Sequence, residues 1–232
     1  MLSRGTNRDL VRADRGTSPI VMPVAEESPR ETVPRLVSVI LPVYNRERML
    51  AEAVECVEAQ TYRPIELIVV NDGSTDGTAS LCDRLAASRS SLIRVLHRTN
   101  GGPGAARETG RLAARGEFIQ YLDSDDWIDP RKLEAQTEVL ARHPDAGICS
   151  CECRETWVDR PGVAALRPRS AKGFDRIFPH FLSGRLWPTL APLYRRLLSD
   201  RLGPWTDLRQ EEDLEYDARA GALGVGVVAC PE

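Results

Sequence analysis

Short apolar segments alternate with helix-like segments along the first two thirds of the chain. The apolar segments have the length of buried strands, and the segments between them place apolar side chains three and four residues apart. This alternation predicts an α/β fold whose parallel sheet is joined by right-handed crossover helices. The predicted strands are Val37–Leu41, Ile65–Val70, Leu92–Leu96 and Phe118–Leu122, and the predicted helices are Arg46–Gln60, Thr75–Ala87, Ala105–Ala114 and Pro130–Arg142.

Beyond Cys153 the alternation is weaker. We expect an irregular stretch over residues 154–172, followed by short elements with fewer apolar positions. The predicted helices there are 174–182, 195–202 and 211–220, and the predicted extended segments are 190–194 and 225–229.

The fourth predicted strand is followed directly by the acids Asp123, Asp125 and Asp126. Crowded carboxylates repel one another, so a folded protein needs a positive charge beside them. Mg²⁺ and Mn²⁺ prefer oxygen ligands, and Asp123 and Asp125 are spaced so that both can turn toward one point. The sequence therefore predicts an Mn²⁺ or Mg²⁺ site at Asp125 and Asp123 that binds a phosphate. The structural alternative is a solvated turn in which Asp126 or Asp129 caps the next helix.

Three further polar residues, Tyr44, Asp72 and Asn100, also follow predicted strands. Ligands of open parallel sheets bind outside the carboxyl ends of the strands, so these residues are expected to face one crevice. Tyr44 can instead pack at a strand end, and Asp72 lies in a sequence that makes a good turn by itself.

Composition limits the classes of protein that fit. The 232 residues, 42% apolar and 28% charged, are enough for one well-buried domain. A net charge of -3 and a pI near 5.8 give no electrostatic basis for binding nucleic acid. No apolar run approaches the roughly 18 residues of a membrane span. A cytoplasmic enzyme is the expectation, with contact at the inner face of the membrane left open.

The N-terminal residues 1–35 mix charged, polar and proline residues without the apolar stretch of a secretory signal. We expect a flexible leader there. The six cysteines do not form a disulfide or zinc pattern. Cys149, Cys151 and Cys153 alternate as residues on one face of a strand do, so reduced cysteines in a strand are expected.

Five motifs occur in an order that resembles the inverting family 2 glycosyltransferases of the GT-A fold. They are Val39–Asn45, Val70–Thr78, Asn100–Arg107, Tyr121–Asp126 and Glu211–Asp213 with Arg219 behind it. The resemblance runs from about Val37 to Pro231 and implies a single-domain, Rossmann-like nucleotide-binding sheet flanked by helices over residues 36–232. Residues 36–128 would bind the nucleotide sugar, and residues 129–232 would form the acceptor side. Family members commonly continue past this point, which leaves the completeness of the acceptor side open.

The resemblance also implies roles for residues that bind the donor. Pro42, Val43 and Tyr44 would line the wall beside the nucleotide base, with the Tyr44 ring as a flat apolar surface. Asp72 would accept a hydrogen bond from the ring N–H of the base, which favours a UDP- or dTDP-sugar. Asn100 and the glycines after it would let the backbone approach the nucleotide.

The remaining implied roles concern the diphosphate and the reaction. Arg107 would brace the glycine-rich loop, Asp123 would lie near the ribose and diphosphate, and Asp125 would hold the metal. Asp213 would be the general base that takes the proton of the acceptor hydroxyl. Glu212 is a weaker candidate, and neighbours on a helix point about 100° apart, so the two acids are not expected to share one role.

These assignments predict a metal-dependent transfer of a sugar to a hydroxyl of a sugar or lipid-linked acceptor, in the synthesis of a cell-surface polysaccharide or glycolipid. One alternative is a protein that binds a nucleotide sugar without catalysis. Another is a haloacid-dehalogenase-like phosphohydrolase, but that family places its two aspartates on the first strand. Trp187 and Trp205 are equally well explained as core residues or as surfaces that stack on a sugar ring.

Overall fold

Strands from both halves of the chain join one sheet. A computed structural model describes residues 32–153, 174–208 and 210–230. Its strands are β1 (Val33–Val43), β2 (Ile65–Asp72), β3 (Ile93–Arg98), β4 (Gly116–Tyr121), β5 (Ala146–Ser150), β6 (Leu193–Arg195) and β7 (Gly226–Ala229). Its α-helices are α1 (Leu50–Glu58), α2 (Thr78–Ser88), α3 (Pro103–Ala113), α4 (Lys132–Arg142), α5 (Arg196–Leu202) and α6 (Glu212–Ala222).

Within these ranges the sheet has seven strands in the order β3-β2-β1-β4-β6-β5-β7. β1 lies parallel to β2 and β4, and β2 lies parallel to β3. β6 runs antiparallel to both β4 and β5, so β4 and β5 point the same way. The prediction of an α/β fold with a parallel-centred sheet is confirmed, and the carboxyl ends of β1 to β5 lie along one edge.

The central strands are apolar because both of their faces are covered. Every residue of β2 is buried, as is every residue of β1 from Leu36 onward. Side chains of a strand alternate between the two faces of the sheet. Val39 and Leu41 accordingly pack in one core cluster with α1, and Ile40 packs in the other with Tyr121. Burial on both sides explains the continuous apolar runs seen in the sequence.

Several boundaries differ from those that the sequence predicts. β1 begins at Val33, so residues 33–35 of the predicted leader belong to a strand, while residues 1–31 lie outside the described part. α1 begins at Leu50 and not at Arg46, whose backbone N–H is bonded to Thr78 Oγ1 at 2.9 Å across the sheet edge.

The predicted helix over 174–182 is wrong. A short 3₁₀ turn, His180–Ser183, forms there, and Pro179 just before it lacks the N–H that an α-helix would use. The predicted irregular stretch at 154–172 lies outside the described residues.

The cysteine-containing strand is shorter than expected. β5 ends at Ser150, so Cys149 lies in the strand while Cys151 and Cys153 lie beyond it. All six cysteines are free. Among the helices in the described ranges, none has the length and apolar character needed to cross a bilayer.

Candidate functional site

The carboxyl edge of the sheet brings the predicted site residues together. Asp72 is the last residue of β2, and Tyr44, Asn100 and Asp123 follow β1, β3 and β4 within two residues. Neighbouring loops are tied to one another there. The Asn100 side-chain amide donates to the backbone carbonyl of Asp72 at 3.0 Å. The predicted crevice is thus built from adjacent, mutually bonded loops.

At the end of β1 the three residues expected beside the base differ in exposure. The side chain of Val43 is 2% exposed and packs in the core, and Pro42 is also buried. Tyr44 lies just beyond the strand with 45% of its surface exposed. Of the three, Tyr44 therefore has the exposed side chain, while Pro42 and Val43 are buried in the strand that carries it.

Asp72 is buried, and its carboxylate organises the glycine-rich loop. Its oxygens accept hydrogen bonds from the backbone N–H groups of Gly101, at 3.1 and 3.2 Å, and Gly102, at 2.8 Å. Arg98 donates to the same carboxylate at 2.5 Å. Gly102 has φ 89°, a conformation that favours glycine. Arg98 was missed by the sequence reasoning, and its place as the last residue of β3 is the one signal that could have found it.

The acids after β4 form a turn in which the backbone N–H of Asp126 donates to the carbonyl of Asp123 at 3.1 Å. The side chains of Asp123 and Asp125 are 31% and 49% exposed. Asp129, not Asp126, contacts the backbone just before α4, where its carboxylate accepts from the Arg131 N–H at 2.8 Å. Asp123 and Asp125 are therefore not used to begin a helix.

Asp126 differs from the two acids before it. Burial, followed by the nearby carboxylates of Asp123 and Asp125, raises the pKa of the Asp126 carboxyl to about 7, and Arg107 opposes that rise. Arg46 lies 3.8 Å from Asp125 and is the cation that faces this exposed acid.

The turn over residues 123–126, here called the acid turn, supplies part of the ligand set of a divalent cation. In the described part of the chain, no three His, Cys, Asp or Glu side chains are grouped as a metal site. Mg²⁺ usually keeps several waters and is held by one or two carboxylates together with phosphate oxygens of a substrate. The exposed carboxylates of Asp123 and Asp125 match that arrangement, in which a bound diphosphate supplies the remaining ligands.

Arg107 connects the acid turn to the beginning of α6. Its guanidinium is 3% exposed, donates to Asp123 Oδ1 at 2.6 Å and also donates to Glu212 Oε1. It lies 5.0 Å above the ring of Trp205. Burial by itself lowers the pKa of Arg107, but the two carboxylates outweigh it and raise that pKa above its ordinary value. These contacts, here called the Arg107 bridge, join Asp123 just after β4 to Glu212 of α6 around one buried cation.

Asp213 points away from the Arg107 bridge. Its Oδ1 accepts a hydrogen bond from Arg185 at 2.5 Å, and its Oδ2 accepts one from the Thr189 hydroxyl at 2.7 Å. Its side chain is 13% exposed, and Glu212 next to it faces Arg107 instead. The two neighbouring acids serve different contacts, as their angular separation on a helix predicts. Arg185 and Thr189 were not singled out from the sequence.

The two tryptophans weighed as sugar-stacking surfaces are core residues. Trp187 is 1% exposed and Trp205 is 6% exposed. The Trp205 ring stacks on Tyr216 with centroids 4.2 Å apart and an interplanar angle of 6°. Neither ring has a face open to a sugar in this structure, so the core alternative holds for both.

The Glycosyl transferase family 2 model matches residues 38–196, which include β1 to β6 and the acid turn. The chain belongs to glycosyltransferase family 2. The uncharacterized glycosyltransferase EpsJ of Bacillus subtilis (strain 168) is 33% identical over 187 residues, which is 78% of this chain and 53% of EpsJ. Glycosyltransferase GlyG of Streptococcus pneumoniae is 42% identical over 100 residues, covering 43% of this chain and 33% of GlyG.

Solved structures agree on the fold. S. aureus TarS 1–349 in complex with UDP superposes with a TM-score of 0.68 at 26% identity, over 83% of this chain and 57% of TarS. The mannosyltransferase PcManGT from Pyrobaculum calidifontis, in complex with GDP-Man and Mn²⁺, has a TM-score of 0.64 at 21% identity, over 89% of this chain and 59% of PcManGT. The predicted GT-A architecture is thereby confirmed. The chain spans about half the length of EpsJ.

Proposed function

We propose that this family 2 chain transfers a sugar from a UDP- or dTDP-sugar to a hydroxyl of a sugar or lipid-linked acceptor, with inversion and with Mn²⁺ or Mg²⁺. The Arg107 bridge is the observation that carries the proposal. It places the acid turn, which suits a diphosphate-bound metal, next to the helix that presents Asp213. On this proposal the donor site and the base for the acceptor lie on two segments that one buried guanidinium joins.

Donor binding is assigned to the loops after β1, β2 and β3. The exposed Tyr44 ring offers a flat apolar surface to a nucleotide base. Asp72 is assigned to the ring N–H of the base. Its oxygens already accept from Arg98 and from the Gly101 and Gly102 N–H groups, so a bound base would share the site of one of these contacts. A carboxylate acceptor suits the ring N–H of uracil or thymine. TarS, which shares 26% identity with this chain, was crystallised with UDP, and this supports a uridine donor.

Asp125 and Asp123 would hold the metal ion. When bound, the ion supplies positive charge that neutralises the diphosphate as it departs. The chain's own contribution is to keep the two carboxylates at the strand end. Arg107 does this for Asp123 through its 2.6 Å hydrogen bond.

The reaction is a single displacement. The acceptor oxygen forms a bond to the anomeric carbon while the bond from that carbon to the diphosphate oxygen breaks, and the electron pair leaves with the nucleoside diphosphate. The proton of the acceptor hydroxyl moves to the Asp213 carboxylate. Attack from the face opposite the leaving group inverts the anomeric configuration. On this proposal residues 36–128 bind the donor, residues 129–232 form the acceptor side, and the product belongs to a cell-surface polysaccharide or glycolipid.

Asp213→Asn tests the proposal. In Mn²⁺, the full chain is mixed with UDP-GlcNAc, UDP-glucose, UDP-galactose and dTDP-glucose, and release of nucleoside diphosphate is followed with water and simple glycosides as acceptors. We expect the variant to bind UDP normally but to lose turnover by a factor of roughly 10²–10⁴, the usual contribution of a general base. Glu138→Gln, which removes an exposed carboxylate on α4, is the matched control.

The same assay separates the alternatives. Turnover in Asp213→Asn close to that of the wild type would place the base elsewhere. Tight UDP binding with no turnover of any donor by the wild type would favour a non-catalytic binder. Phosphate release from p-nitrophenyl phosphate would favour a phosphohydrolase.

A further inference from the structure

Asp213 is bonded to residues of the segment 184–192, which lies between the 3₁₀ turn and β6 and is here called the holding segment. Arg185 donates to Oδ1 at 2.5 Å, and the backbone N–H of Leu214 donates to the same oxygen at 2.8 Å. Thr189 donates to Oδ2 at 2.7 Å. Each oxygen of a carboxylate has two lone-pair sites. Within the described part of the chain, Oδ1 is therefore fully used, and Oδ2 keeps one site.

The holding segment is itself anchored in the core. Trp187 lies between Arg185 and Thr189 and is 1% exposed. The backbone N–H of Ala191 donates to the carbonyl of Pro188 at 3.0 Å, which closes a turn around Thr189. Because Trp187 is buried, packing holds the backbone that carries Arg185 and Thr189, independently of their bonds to Asp213.

Within the described residues, two charged groups lie near Asp213. Arg185 faces it from the holding segment, and Asp217 lies one turn later on α6. Asp217 is buried and accepts a hydrogen bond from the Tyr194 hydroxyl of β6 at 2.8 Å. Glu212 is directed to Arg107 on the other side of the helix. In this part of the chain, Arg185 is thus the cation paired with the candidate base.

We propose that Arg185 and Thr189 are positioning residues for Asp213, which turn its carboxylate so that the open site of Oδ2 receives the acceptor's proton. This inference rests on the proposed role of Asp213 as the general base. Arg185 occupies Oδ1 together with the backbone N–H of Leu214. Thr189 fixes the rotation of Oδ2, so that its remaining lone pair has one direction. The proton moves from the acceptor oxygen to Oδ2, and no other group changes its protonation.

Thr189→Val and Thr189→Ser form the first test, with the donor that the wild type turns over fastest. The valine variant keeps the shape of the side chain but loses the hydroxyl. We expect its kcat to fall by roughly 10²-fold, the scale at which small misplacement of a catalytic group is felt, with KM for the donor unchanged. The serine variant restores the hydroxyl and should recover most of the lost kcat.

Arg185→Gln and Arg185→Lys form the second test, read as kcat against the KM for the sugar donor. The glutamine variant lacks the guanidinium that occupies Oδ1, so the carboxylate is less fixed in rotation. We expect its kcat to fall while the KM for the sugar donor stays unchanged, because the misplaced group is the base. The lysine variant keeps a charged N–H group and should recover part of the lost kcat. Arg142→Gln, an exposed partner of Glu138 on α4, is the control and should leave both constants in place.

The outcomes separate the two proposals. If Asp213→Asn is inactive while Thr189→Val and Arg185→Gln keep the kcat of the wild type, the positioning role is overturned and the base assignment stands. If Asp213→Asn is active, or if the wild type turns over no donor, the proposed function fails. A variant that loses thermal stability but keeps kcat would show that the contacts are structural only.

Discussion

At the scale of single residues, Asp125 is the position where a substitution should change ligand binding without changing stability. Its side chain is 49% exposed, and Arg46 faces it at 3.8 Å, a distance at which an exposed ion pair contributes little to stability. Asp125→Ala should therefore leave unfolding unchanged but remove the Mn²⁺-dependent part of UDP binding. Urea unfolding measures the stability. Calorimetric titration with UDP, in Mn²⁺ and in EDTA, measures the metal-dependent and metal-independent parts of binding. Equal UDP affinity in the variant and the wild type in Mn²⁺ would contradict a ligand role for Asp125.

Residue types at strand ends were predictable, and their partners were not. Asp72 and Asp123 stand out because an acid directly after a buried apolar run has few structural uses. Their cations, Arg98 and Arg107, are 26 and 16 positions away in the sequence. Arginines at such distances are ordinary helix or strand residues until the sheet order is known. The residues that adjust the acids therefore needed the structure.

At the scale of elements, the Arg107 bridge connects α6 to the acid turn that we propose binds the donor. Arg107 shares its charge between Asp123 and Glu212, both of which contact the guanidinium. Glu212→Gln should leave Asp123 as the one carboxylate on a buried cation and bind it more tightly to Arg107. We expect weaker Mn²⁺-dependent UDP binding, and a loss of roughly 1.5–3 kcal/mol of stability because Arg107 keeps Asp123 but loses the charge on its second hydrogen-bond partner.

Urea unfolding and titration with UDP and Mn²⁺ measure these two effects of Glu212→Gln. Glu138→Gln on α4 is again the matched control, because it removes the same charge from an exposed pair. Normal UDP affinity in the Glu212 variant, together with normal stability, would show that α6 and the acid turn are independent. Lost stability with normal affinity would limit the bridge to a structural role.

Elements in the first half of the chain could be predicted because the spacing of their apolar residues is typical of a helix or of a buried strand. β1, β2 and β4 are buried over most of their length, so their apolar runs are continuous, while β3 at the sheet edge is partly exposed. The second half is different because β5, β6 and β7 have five, three and four residues. Strands that short carry little periodic signal, and β6 reverses direction between β4 and β5. The acceptor-side contacts of Arg185 and Thr189 lie in that half, which is why sequence reasoning missed them.

At the scale of the whole molecule, two buried acids tie stability to pH. Burial raises the pKa of Asp217 from 3.8 to about 7, and Asp213 adds to the rise. Between these pH values the folded protein holds a proton that the unfolded chain has released. Stability therefore falls as pH increases from about 4 to about 7, and the loss persists above that range. Asp126, with its pKa raised to about 7, acts in the same window.

Asp217→Asn isolates one of these acids. Asparagine keeps an oxygen that can accept the hydrogen bond of the Tyr194 hydroxyl, but it does not ionise. The contribution of Asp126 is common to both proteins and cancels in the difference between them. We expect the variant to gain stability relative to the wild type as pH rises from 4 to 7, by about 1–4 kcal/mol, and to keep that gain at pH 8. Urea unfolding at intervals across this range, in EDTA, measures the difference. Parallel curves for the two proteins would mean that Asp217 ionises in the folded state as readily as in the unfolded chain, and the pH dependence would then belong to other acids.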